Sequence, residues 1–197
     1  MYRWFAAALL VSAIGISGFY RHRARLAGEV IARRRESGPL ILGRVVVAVP
    51  LWLSVLIWIA HPAWMAWAAF DAPDWLRNTG VVLGALAIPL AWWVFSTLGH
   101  NVSETVLTKQ DHALVTTGPY HWVRHPLYLT GLTAFTSIGL MAANRFVLLM
   151  TLVALAGVLA VVIPREEAAL IEKFGDAYTT YRARTGRLLP RLSAIGR

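Results

Sequence analysis

Five apolar segments, each long enough or nearly so to cross a bilayer, constrain this chain more than any other feature. They fall near residues 2–20, 40–60, 77–97, 126–143 and 146–164. A hydrocarbon core of about 30 Å needs roughly 17 to 25 apolar residues per helix. Water is absent there, so every backbone N–H and C=O must be paired within its own segment, which makes these segments helices. The composition agrees, with 57% hydrophobic residues, 15% charged residues and a mean hydropathy of +0.56. The expectation is an all-α, polytopic membrane helical bundle with about five transmembrane helices and cytoplasmic C-terminal helices, forming a single integral membrane domain over 1–197. Asn144-Arg145 alone joins the last two spans, which predicts a tight helical hairpin.

The net charge of +9 does not point to nucleic acid, because of where the charge lies. Of the 19 basic residues, all but Arg3, Arg77 and Arg145 fall on one side of the five spans, counting Arg44, which can snorkel to that side. This is the positive-inside pattern. It predicts an outside N-terminus, a cytoplasmic C-terminus and a multi-pass protein of a bacterial inner membrane or the endoplasmic reticulum. Attraction to anionic headgroups of membrane lipids follows from the same charge. Residues 1–20 lack a small-x-small cleavage site, and the heavier positive charge follows them, so they read as a retained anchor. With no cysteine, disulfides and thiolate chemistry are excluded.

The spans carry almost no ionisable residues, whereas proton and ion pathways place such groups at mid-membrane depth. A transporter or channel is therefore disfavoured. Gly80 and Gly84 form a small-xxx-small pair, read as close helix packing. Trp58, Trp64, Trp67 and Trp75, and Trp92 and Trp93 at the other end of span three, read as interfacial anchors.

Polar chemistry concentrates in Thr117-Gly118-Pro119-Tyr120-His121-Trp122-Val123-Arg124-His125-Pro126-Leu127-Tyr128. Proline suits the first helical position and disfavours helix in the residue before it. His125 is thus expected just outside a helix starting at Pro126, with Arg124 beside it. The first N–H groups of that helix lack intrahelical partners and favour an anion. His121 and His125 stand four apart, but the proline breaks and the want of a third ligand argue against a metal pair.

The second polar cluster follows the last span. Arg165-Glu166-Glu167-Ala168-Ala169-Leu170-Ile171-Glu172-Lys173-Phe174 reads as a helix continuing or restarting at the membrane surface after Pro164. An apolar stripe through Leu170 or Ile171, Phe174, Tyr178 and Tyr181, extended backwards, reaches Glu166 and Glu167. Gly175-Asp176 is expected to interrupt the helix, with Asp176 capping the next turn. The residues together predict a cavity with Arg124, His125, Tyr120 and Tyr128 on one side and two carboxylates on the other. Such a cavity suits a zwitterionic ligand carrying an aromatic ring.

These stretches resemble the isoprenylcysteine carboxyl methyltransferase family of integral membrane enzymes. The matching residues are His112-Ala113-Leu114-Val115 with Gly118-Pro119-Tyr120, then Arg124-His125-Pro126-Leu127-Tyr128 with Gly131. Glu166-Glu167 through Phe174-Gly175-Asp176-Ala177-Tyr178 and Tyr181 follow, and then Arg184-Thr185-Gly186-Arg187-Leu188-Leu189-Pro190. The resemblance covers about 98–192 and implies S-adenosyl-L-methionine as cofactor and a lipophilic or prenylated methyl acceptor. It implies that His112, Ala113, Leu114, Val115, Tyr120, His125, Pro126, Leu127, Tyr128 and Glu166 contact the cofactor. Under it, the helix start at Pro126 with Arg124 receives the methionyl carboxylate. Arg124, Glu167 and Arg165 are the candidates for positioning substrate or charge. Family members acting on a prenylcysteine carboxylate carry an arginine about one turn before the glutamate pair. Here that region reads Val161-Val162-Ile163-Pro164.

Related readings are a phospholipid amine methyltransferase and an NADPH-dependent sterol or enone reductase, which shares His-Pro-x-Tyr. The non-enzymatic one is a small membrane scaffold or transporter subunit. Neither nucleic acid nor metal is an expected partner.

Overall fold

The computed structural model describes residues 1–26, 38–99 and 113–191. Helix α1 is Tyr2–Leu26, α2 is Gly38–Ala60, and α3 is Asp74–Leu98, with a 3-10 segment at Pro62–Ala68 between the last two. A single turn, α4, spans Pro119–Trp122 and precedes α5, Pro126–Ala142. Helix α6, Arg145–Gly157, passes through a π-helical turn at Val158–Val162 into α7, Ile163–Phe174; α8 is Asp176–Arg184. The described fold is all-α and polytopic, as expected. Among the described residues, four helical stretches are long and apolar enough to cross a membrane: α1, α2, α3 and the run Arg145–Phe174. Helix α5 is a shorter apolar helix of 17 residues.

One expectation about elements changes, the capping role of Asp176. The last span continues through Pro164 unbroken, one of the two courses the sequence allowed, and the π turn ends two residues before that proline. A π turn re-registers the backbone bonds, and it sits where proline removes a donor. Asp176 is the first residue of α8 and makes no side-chain cap; Gly175, with φ 54°, is both the end of α7 and the N-cap of α8. Only glycine takes that left-handed backbone at little cost.

By internal contacts the chain falls into two compact units interleaved in sequence. The first comprises Met1–Gly15, Gly38–Leu90 and Thr130–Gly157. Its core gathers Ala6, Leu9, Val55, Trp58, Ile138 and Val147, all buried. Trp58 is therefore a core residue, contrary to its expected role as an anchor, whereas Trp64, Trp67 and Trp75 are exposed. Its ring lies on the face of α2 that packs into this core, where its large area contributes packing contacts. The small-xxx-small pair behaves as read. A Cβ on Gly80 would come 2.7 Å from the carbonyl oxygen of Ser137, and one on Gly84 2.6 Å from its hydroxyl. Ser137 in turn donates to the Gly80 carbonyl at 2.7 Å.

The predicted hairpin is held by Asn144. Its Oδ1 accepts from the N–H of Val147 at 3.0 Å, capping α6, and its Nδ2 donates to the carbonyl of Met65 at 3.1 Å. Ala143 takes the left-handed backbone at φ 47° to make the reversal. Replacing Asn144 with alanine removes the cap and the buried side-chain bond to the Met65 carbonyl. We expect Asn144→Ala to cost about 2–3 kcal/mol, read as a lowered thermal midpoint in detergent with no change in ligand affinity.

Candidate functional site

The second unit comprises Ile16–Ser37, Ala91–Leu129 and Val158–Arg197, and both polar clusters lie in it. Its small apolar core places Ala24 and Phe95 against Tyr20, Leu98 and Leu127. Gly118 opens the first cluster at φ 57°, where a Cβ would come 2.7 Å from the Thr97 hydroxyl. Glycine is thus required there on both conformational and steric grounds. After the single turn of α4, Val123 is extended and forms a parallel bridge with Gly186. The N–H of Arg124 donates to the Gly186 carbonyl at 2.8 Å, and that of His125 to the Arg187 carbonyl at 3.1 Å. A Cβ on Gly186 would collide with the carbonyl of Leu189. The C-terminal segment therefore holds the backbone of Arg124 and His125 just ahead of α5. Pro126 is the first residue of α5, and His125 lies outside it, as the sequence implied.

Helix α7 brings in the carboxylates. Glu167 is buried, its side chain 5% exposed. Its Oε1 accepts from Nε of Arg124 at 3.0 Å, pairs with Nη2 of the same guanidinium at 2.9 Å, and lies 3.2 Å from Nε2 of His125. Two further guanidiniums, of Arg182 and Arg187, approach to 3.9 Å. The third nitrogen of Arg124, Nη1, donates to the carbonyls of Arg182 and Thr185. Each nitrogen of Arg124 is thus engaged by the protein itself. Glu166 takes the other side of the imidazole. Its Oε2 is 3.3 Å from Nδ1 of His125, off the line of a hydrogen bond, and its Oε1 accepts from the Tyr128 hydroxyl at 3.4 Å. Among the described residues, Glu166 Oε2 and the Tyr178 hydroxyl are the buried side-chain atoms with no hydrogen-bond partner.

Burial by itself would lower the pKa of His125, but Glu166 and Glu167, one at each ring nitrogen, outweigh it and raise the value above its ordinary 6.5. Burial, then the Glu166 charge, pushes the Tyr120 phenol up, and burial also pushes up Tyr178, which stays a neutral donor.

The structure brings together Tyr120, Arg124, His125, Pro126, Tyr128, Glu166 and Glu167. Tyr120 is tied in through its carbonyl, which accepts from the Tyr181 hydroxyl at 2.7 Å. Leu114 and Val115 are half-buried and Ala113 exposed on the approach to Gly118, and His112 lies outside the described residues. Arg165 is exposed and is not among the partners of Glu167. His121 is exposed and stacks edge-on with Trp122, its ring centroid 5.2 Å away. Sequence reasoning missed the part played by Arg182, Thr185, Gly186 and Arg187. The Arg-Thr-Gly-Arg run stood out in the sequence, but its pairing with residues 123–125 spans about sixty positions and has no local signal.

The model of the isoprenylcysteine carboxyl methyltransferase (ICMT) family matches residues 80–172, a stretch containing the Arg124–Tyr128 segment and the glutamate pair. Residues 80–172 are thus similar to that family. The chain is 27% identical over 193 residues to methanethiol S-methyltransferase of Mycobacterium tuberculosis, covering 91% of this chain and 72% of the relative. It is 35% identical over 115 residues to protein-S-isoprenylcysteine O-methyltransferase of Saccharomyces cerevisiae, covering 55% of this chain and 48% of the relative. A solved structure, the eukaryotic intramembrane Ras methyltransferase ICMT, aligns with a TM-score of 0.54 and 26% identity, over 79% of this chain and 53% of that one. The chain thus spans about half the length of the yeast relative and of the solved structure. The apolar helices and this kinship make it an integral, multi-pass membrane protein.

Two outcomes follow from the geometry. Arg124→Ala leaves a buried carboxylate without its main partner and is expected to cost about 3–5 kcal/mol, measured as thermal stability in detergent. The raised pKa of His125 contributes stability that is fully present below 6.5 and lost as pH rises through the folded value. The thermal midpoint should therefore fall with pH above 6.5, and His125→Gln should flatten that slope.

Proposed function

We propose that this protein is an S-adenosylmethionine-dependent membrane methyltransferase acting on a lipophilic acceptor. The observation that carries the reading is the His125 imidazole buried between Glu166 and Glu167, with one carboxylate oxygen of Glu166 accepting no hydrogen bond, inside the family-matched stretch. The residues fit the cofactor chemically. Oε2 of Glu166, which accepts no hydrogen bond within the protein, is suited to the amino group or the ribose hydroxyls, and Tyr120 and Tyr128 offer aromatic faces for the adenine or the sulfonium. His112, Ala113, Leu114, Val115, Pro126 and Leu127 complete the proposed contact set by family pattern.

When bound, S-adenosylmethionine supplies a methyl carbon already activated by its sulfonium. The protein's task is then positioning and exclusion of water. His125, held by a carboxylate at each ring nitrogen and by its backbone bond to Arg187, keeps Glu166 in place at the mouth of α7. A carboxylate acceptor needs no general base, whereas a thiol or a protonated amine must first lose its proton. Basic residues on the site's side favour a cytoplasmic C-terminus and an outside N-terminus.

The acceptor admits two readings. An isoprenylcysteine acceptor, as in the yeast relative's name, suits a site at the end of apolar helices. A small thiol, as in the mycobacterial relative's name, is favoured by the match over 91% of this chain and by Val162 and Ile163, both buried apolar residues one turn before the glutamates.

Binding of S-adenosylmethionine and S-adenosylhomocysteine to detergent-purified protein tests the core of the reading. We expect micromolar affinity, lost at least tenfold in Glu166→Ala and His125→Ala. Binding of NADPH instead, with neither adenosyl ligand bound, would move the assignment to a reductase.

A further inference from the structure

The cations around Glu167 outnumber its charge. One carboxylate faces the guanidiniums of Arg124, Arg182 and Arg187, and only Arg124 bonds to it directly. All three nitrogens of Arg124 are taken by Glu167 and by backbone carbonyls, so it is not the group that awaits an anion. Arg187 differs in every relevant respect. Its Nε stops at 3.9 Å from Glu167 Oε1, beyond hydrogen-bond range, and its side chain is 44% exposed. Its backbone is nonetheless fixed, because its carbonyl accepts from the N–H of His125, the residue immediately before α5. The close turn at Gly186, which only glycine can make, sets where Arg187 leaves the backbone.

We propose that Arg187 is the carboxylate-binding residue of this site. A guanidinium presents a planar fork that matches a carboxylate with two parallel hydrogen bonds. Anchored beside His125, it stands next to the start of α5, whose first N–H groups favour the same sign of charge. Arg182, on α8 and 3.9 Å from the other oxygen of Glu167, adds to the field but lacks the backbone anchor. The inference rests on the methyltransferase reading above. Within it, the carboxylate comes from one of two sources, the methionyl end of the cofactor or a carboxylate on the acceptor.

Four ligands separate these sources when binding is measured to the full chain in detergent. S-adenosylhomocysteine carries the methionyl-type carboxylate, and 5′-methylthioadenosine has the same thioether nucleoside without the amino-acid end. N-acetyl-S-farnesylcysteine carries an acceptor carboxylate, and its amide does not. Arg187→Gln should weaken S-adenosylhomocysteine at least tenfold and leave methylthioadenosine unchanged if the cofactor is the source. It should weaken the farnesylcysteine acid and spare the amide if the acceptor is. Arg187→Lys, which keeps the charge but not the fork, should fall between, and it decides the matter if Arg187→Gln does not fold. Arg184→Gln, exposed on α8, controls for loss of general charge. Unchanged adenosylhomocysteine binding with unchanged or undetectable acid binding overturns the assignment, as does an equal loss for acid and neutral ligands, which marks a structural role. Failure of the wild type to bind S-adenosylhomocysteine at all is a different result and sinks the methyltransferase reading itself.

Discussion

A carboxylate withdrawn from water is tolerable only where cations and hydrogen-bond donors surround it, and Glu167 imposes that condition on everything near it. Its partners come from three stretches of the chain: Arg124 and His125 ahead of α5, Arg182 near the end of α8, and Arg187 in the segment beyond. Arg124 also clasps the carbonyls of Arg182 and Thr185. One buried charge thereby draws the loop before α5 and the C-terminal segment onto α7.

The same arrangement makes the site asymmetric. Glu167 is saturated on one oxygen and serves as the organiser, while Glu166, adjacent in sequence and partly exposed, keeps an oxygen without a hydrogen bond. Two neighbouring carboxylates on one helix are thus driven into different roles by burial alone. His125 bridges them, and its raised affinity for a proton offsets part of their mutual repulsion. An acceptor with no hydrogen bond beside surplus guanidinium charge is a setting for a ligand with both signs of charge.

Much of this was legible in the residues. The helical class followed from the rule that apolar segments must pair their own backbone. The start of α5 followed from Pro126, and the break after Phe174 from Gly175. The glutamate pair stood out because an apolar stripe, extended backwards by one turn, ended on it. The π turn was not legible, since it adds a single residue to an otherwise regular apolar helix. Nor was the burial of Trp58, because a tryptophan near a span end serves equally as core or anchor.

What the sequence alone determined is therefore the chemistry on hand and its approximate depth: apolar spans, a basic side, and two polar clusters with their helix starts. These are local properties, set by side-chain transfer energies and by the backbone limits of proline and glycine. Only the tertiary structure decided which charge meets which. It gave Arg124 to Glu167 rather than leaving it as an open anion seat, and it set Arg187 beside His125 through a bridge between Val123 and Gly186. The physical reason is that an ion pair is a matter of distance in space, and residues sixty positions apart carry no local mark of which partner they will reach.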